Sequence, residues 1–270
     1  MKNYIKSEIY RAIKSRNTLI AFTVSLLALF IAFLQFIQFF QLGLISLNND
    51  IYDAVDIFVR IRCSTRASTL SLIAPLIASI IFSDSYLADK DSGFLKFIYM
   101  RLDQKKYIWI RILVNALISG LVMLMASLIM LLVLIIIFGI RNTGLNEVQG
   151  PFSWIFYNHS KILYAVFLII ISFIFNVIFS TLALGISPWI KNKYLTFVFP
   201  FLYYIISATI FETFSLVLGL NKYFSLNATI LFELNPIATE FNIVIYQILL
   251  LIIGISLFYY GVCFKDEKNI

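Results

Sequence analysis

Apolar residues run along this chain in long blocks divided by short polar connections, with no alternating pattern of the kind that marks half-buried strands. The blocks predict six membrane-spanning helices, at about 19 to 45, 68 to 88, 107 to 139, 162 to 190, 194 to 219 and 242 to 264, since a span needs roughly 20 apolar residues. Pro200 and Glu212 interrupt the fifth block, and the first is long enough to require tilt or an extension beyond the membrane. Ahead of the first block, in residues 1 to 17, Ile5, Ile9, Ala12 and Ile13 recur at helical spacing while Lys2, Lys6, Arg11 and Lys14 take other faces. That pattern predicts a helix lying on the membrane surface.

Composition strengthens this reading. Of the 270 residues 61% are hydrophobic and 13% charged, and the mean hydropathy is +0.93. So much apolar surface excludes an ordinary soluble protein and points to a single all-α polytopic membrane domain. The first block is too long for a signal-peptide core and has no small-residue cleavage site, so the first span is expected to be retained. Heavy use of Ile, Phe, Asn and Lys fits an AT-rich bacterial gene.

The net charge of +7 acts as a topology signal here, not as a nucleic-acid footprint. With six spans, one side collects Lys2, Lys6, Arg11, Lys14, Arg16, Lys90, Lys96, Arg101, Lys105, Lys106, Arg111, Lys191, Lys193, Lys265 and Lys268. The other keeps Arg60, Arg62, Arg66, Arg141, Lys161 and Lys222, with the first three, in the first outer loop, matched by Asp50, Asp53 and Asp56. Both termini are therefore expected in the cytoplasm, with the chain in the cell membrane. Trp109 and Trp189 then fall at the inner boundary and Trp154 in an outer connection. Cys63 is expected outside and Cys263 inside, both as free thiols.

Several chemistries are missing. No glycine is followed by lysine, which excludes a GxxxxGK[ST] phosphate loop. His159 is the sole histidine, in an outer connection, and no HExxH or GxSxG motif occurs. Glu212 is the acid expected within a span, where an ion-coupled carrier or intramembrane hydrolase calls for several. No metal site, catalytic residue or cofactor is expected on this chain. Two polar stripes stand out, Gln35, Gln38 and Gln41 in the first block and Ser172, Asn176 and Ser180 in the fourth. With Glu212 they are candidates for a translocation path or a dimer seam, ordinary helix packing being the preferred alternative.

The most informative connection is SDSYLADKDSGFLKFIYMRLDQKKYIWIRI, between the second and third blocks. Phe94, Leu95, Phe97, Ile98 and Leu102 give it an apolar face flanked by Lys96, Arg101, Lys105 and Lys106, which predicts a short amphipathic helix beneath the membrane, fit to dock in another protein's groove. Asp89-Lys90-Asp91-Ser92-Gly93 resembles the acidic-basic-acidic-x-Gly opening found in ABC-2 transporter permeases, and Lys105-Lys106-Tyr107 resembles the basic-x-Tyr exit into their third span. The layout is similar as well, including an Asn235-Pro236 step like the re-entrant segment between spans five and six. Leu102 stands where that family often has proline, and Asp where Glu is commoner.

The resemblance implies a coupling helix between spans two and three, with Asp89, Asp91, Gly93, Phe94, Phe97, Ile98 and Arg101 as ATPase-coupling residues. It implies the permease subunit of an ATP-driven exporter, paired as a homodimer or heterodimer and served by two copies of a phosphate-loop ATPase that carries ATP and Mg. A lipophilic peptide, a lipid-linked molecule or a drug are all open as substrates. The reading from another class is an ion-coupled carrier or polytopic membrane enzyme acting without an ATPase.

Overall fold

The computed structural model describes residues 2–39, 53–63, 69–140, 151–158, 160–219, 226–234 and 239–266. Within these the chain is helical throughout, in the order α1 (Lys2–Ile13), α2 (Arg16–Phe39), α3 (Ala54–Cys63), α4 (Thr69–Ile80), α5 (Ser85–Asp91), α6 (Phe94–Tyr99), α7 (Gln104–Phe138), α8 (Ser153–Asn158), α9 (Lys161–Ile186), α10 (Lys193–Ile206), α11 (Glu212–Val217), α12 (Ile230–Glu233) and α13 (Glu240–Asp266). A π-helical turn, Ser207–Phe211, joins α10 to α11. Six stretches are long and apolar enough to cross a membrane: Arg16–Ile37, Thr69–Asp91, Gln104–Phe138, Lys161–Ile186, Lys193–Phe214 and Glu240–Phe264. The chain is thus a multi-pass membrane protein with six helices able to span. Gln41, Asp50, Arg66, Arg141, His159, Lys222, Asn235, Pro236 and Lys268 lie outside the described residues, as does the side chain of Gln38.

Helix α9 is the hub, packing against α7, α13, α4 and α10. Ser160 caps its start by accepting the Leu163 N–H at 3.1 Å, and Asn192 caps α10 the same way through Tyr194 at 3.0 Å. Its approach to α13 is backbone on backbone: a Cβ on Gly185 would stand 2.5 Å from the Gly254 carbonyl oxygen. Small residues let membrane helices close to this distance. Span 2 is the most enclosed, with 72% of its apolar window buried, while span 5, at 22%, lies on the periphery.

The stripe Ser172, Asn176 and Ser180 is wholly buried and stitches α9 to its neighbours. Asn115 of α7 donates to the Ser180 carbonyl at 2.9 Å and Ser119 to the Asn176 carbonyl at 3.2 Å. This seam lies inside one chain.

Two short helices outside the spans pack into the bundle. Helix α1 docks on the bundle: Ile5 and Ile9 pack beside Ala21, Ile77, Phe82 and Ile110, while Ile13 is exposed. The connection after span 1 contains α3, whose Ala54, Ile57, Phe58 and Ile61 form a helical stripe buried in the main core. Asp53 and Asp56 face Lys161 of α9, at 3.5 and 3.2 Å. Cys63, expected in an outer loop, packs partly buried against the same core.

Candidate functional site at the α1 end

The N-terminal helix, α5, α6 and the C-terminal half of α13 meet at one end of the bundle, where Gln104 donates to the Val262 carbonyl at 3.3 Å. Both ends of the described chain therefore share this side. Here an ionic cluster replaces apolar packing. Arg111, about two turns inside span 3, is 1% exposed; its Nη1 donates to Glu8 Oε2 at 2.7 Å and its Nη2 to Asp89 Oδ2. Arg11 completes the set with two bonds to Asp89, at 2.9 and 3.3 Å. The Tyr107 hydroxyl receives Arg111 Nη2 at 3.1 Å and donates to Asp89 at 3.4 Å, and the Phe82 ring lies 5.3 Å from the Arg111 guanidinium carbon. Two acids and two arginines balance, as a cluster removed from water requires. It ties α1 to the end of span 2 and the start of span 3.

From that anchor the chain turns outward. Gly93 takes φ +71 with open space where a Cβ would stand, so its role is the turn and not close packing. Helix α6 follows and divides its residues between two faces. Leu95 and Ile98 are buried against Tyr86, Tyr107 and Phe258. Phe94, Phe97 and Met100 are 48%, 61% and 72% exposed, and Arg101 is exposed beside them. Between α6 and α1 lies a groove of about 560 Å³ lined by Asn3, Tyr4, Phe94, Phe97, Ile98, Arg101 and Leu102. Asp91 is exposed, with Lys193 at 3.6 Å.

The expected coupling residues thus separate. Asp91, Phe94, Phe97 and Arg101 are presented outward. Asp89 and Ile98 point into the bundle, because the turn of α5 and α6 that exposes one face must bury the other, and they hold the surface instead of forming it.

Of the other candidates, Gln35 accepts from Thr69 at 2.9 Å and so joins span 1 to span 2. Glu212 is half-buried and accepts from Asn227 at 2.7 Å, fastening the segment before α12. Sequence reading missed Arg111 and Arg62, which it counted as boundary charges, and Glu8. The available signal was placement: Arg111 stands between Ile110 and Ile112, and Arg62 between Ile61 and Cys63, inside an apolar pattern where a topology charge has no need to be.

No family model, curated protein or solved structure matches the chain.

Proposed function

We propose that this protein is the membrane-spanning subunit of an ATP-driven exporter of the ABC-2 permease type. It sits in the cell membrane with both termini in the cytoplasm, and it works as a dimer with two copies of a separate phosphate-loop ATPase that carries ATP and Mg. The observation that carries this reading is the face of α6: Phe94, Phe97 and Met100 exposed together, next to Arg101, on a helix whose other face is pinned to the bundle. Exposed aromatic and methionine side chains in a cluster are the composition of a protein-binding patch. In this mechanism ATP binding closes the ATPases and pushes α6. The push passes to spans 2 and 3, because Asp89 and Arg111 bind those spans to each other and to α1. Cargo is lipophilic or peptide-like, in keeping with the apolar bundle.

The test is co-purification. Phe94→Ala with Phe97→Ala should insert at normal levels, because neither ring is buried, yet should lose the ATPase and transport. Undiminished recovery of the ATPase would reduce this loop to a connector and remove the exporter reading.

A further inference from the structure

The end of the bundle opposite α1 holds a second arginine that the proposed coupling does not use. Helix α3 begins at Asp53 and Asp56, level with Lys161 at the start of α9, and runs inward until Arg62 Nε donates to Ser172 Oγ at 2.8 Å. Ser172 is about 16 Å along α9 from Lys161 at 1.5 Å per residue, close to the middle of that span. Arg62 is 2% exposed. A cation at such depth is costly and marks a functional site by default.

Its partners leave its chemistry incomplete. Nη1 donates to the Phe232 backbone carbonyl at 2.6 Å, and the guanidinium lies 3.3 Å from the centre of the Phe232 ring. Nη2 is buried with no hydrogen-bond partner among the described residues. The neighbouring carboxylate, Glu233 on α12, instead accepts from Ser71 Oγ, and it forms no ion pair with Arg62. The Tyr204 hydroxyl, buried close by, lies beside Ser71 and near both Glu233 and Arg62. A guanidinium fork matches an anion that offers two oxygens. One prong here rests on a neutral carbonyl and the other on nothing.

We infer that Arg62 and Tyr204 form an oxyanion site in the middle of the bundle, which takes a phosphate or carboxylate group when α12 moves aside and the Phe232 carbonyl yields its place. One ligand oxygen takes Nη1, the second takes Nη2, and the Tyr204 hydroxyl donates to either. Ser172 holds the fork in register through Nε. The anion is either free or the headgroup of an amphiphile reaching in from the membrane. Only the assignment of that amphiphile as cargo rests on the exporter reading.

The test uses the full chain in neutral detergent micelles, without an ATPase. Dodecyl phosphate, inorganic phosphate and, as a cationic control, dodecyltrimethylammonium are titrated while thermal unfolding is followed. Dodecyl phosphate is expected to raise the midpoint by about 3 °C at roughly ten times its dissociation constant, with Arg62→Gln abolishing the shift and Tyr204→Phe reducing it. A shift only with dodecyl phosphate identifies a headgroup, and an equal shift with inorganic phosphate identifies a free anion; both support the site. Should Arg62→Gln fail to fold, Tyr204→Phe alone decides. A shift undiminished in Tyr204→Phe, matched by the cationic amphiphile, or absent altogether overturns the inference. Loss of ATPase binding in the α6 variants would leave this result untouched, so the two readings fail separately.

Discussion

Arg111 and Asp89, 22 residues apart, close an ion pair between the start of span 3 and the end of span 2, and both side chains are buried. Asp91, two residues on, is exposed. The same short acidic motif therefore contains one residue that holds the fold and one that faces outward.

Asp89→Ala leaves Arg111 with a single buried acid and should destabilise the protein by about 3–5 kcal/mol, the usual result of breaking a buried pair. Asp91→Ala should change stability by less than about 1 kcal/mol. Thermal or denaturant unfolding of the two purified variants measures the difference; equal effects would mean the cluster is solvated.

Helix α6 should show the same split. Leu95→Ala and Ile98→Ala remove side chains packed on Tyr86, Tyr107 and Phe258 and should each cost about 2–4 kcal/mol. Phe94→Ala and Phe97→Ala should leave unfolding within about 0.5 kcal/mol of the natural chain, which makes them clean probes of partner binding.

Two glycines should respond differently to alanine. Gly185→Ala drives a methyl into the Gly254 backbone, which cannot rotate away, and should cost about 3 kcal/mol or more by forcing α9 from α13. Gly93→Ala meets no neighbour and carries only the strain of a positive φ, about 1 kcal/mol. Unfolding midpoints of the two variants check the order.

Acid should stabilise the α3 end. Burial, helped by the Asp53 side chain beside it, raises the Asp56 carboxyl above its usual 3.8, while Lys161 opposes the rise. A carboxyl raised by folding contributes stability that is complete below pH 3.8 and fades as the pH climbs through the raised value. Asp56→Asn should flatten that part of the pH–stability curve, and an unchanged slope would place the titration elsewhere.

Orientation is best read with new cysteines. Cys63 packs against the core, so an impermeant thiol reagent should leave it unmodified in either orientation. On a chain lacking Cys63 and Cys263, a cysteine at the exposed Trp154 should label in intact cells, and one at Met100 only after permeabilisation. The reverse pattern would invert the chain and remove the ATPase-facing role of α6.

The spans were legible because each is a continuous apolar block that water rejects, and α6 because its charges and aromatics alternate at helical spacing. Helix α3 was not, since its length is half a span and its Arg60, Arg62 and Asp56 mimic a polar loop; only the stripe Ala54, Ile57, Phe58, Ile61 betrays it. The pairings of Glu8 and Arg111, 103 residues apart, and of Arg62 with Phe232, 170 apart, depend on which helices become neighbours. Periodicity carries no such information. The π-helical turn at Ser207 is likewise set by a tertiary bond, its hydroxyl accepting the Ala228 N–H at 3.1 Å.

Synthesis order treats the two arginines unequally. When Arg111 leaves the ribosome, Glu8 and Asp89 already exist, so its charge can be matched as soon as span 3 enters the bilayer. Arg62 precedes its partners Ser172 and Phe232, and the second is 170 residues behind it, a wait of about 10–35 s at common elongation rates. During that interval the Arg62 guanidinium lacks the Ser172 and Phe232 bonds that hold it in the finished bundle. The bonds of Arg111 can form as soon as its own span is made, and those of Arg62 only after α12 is.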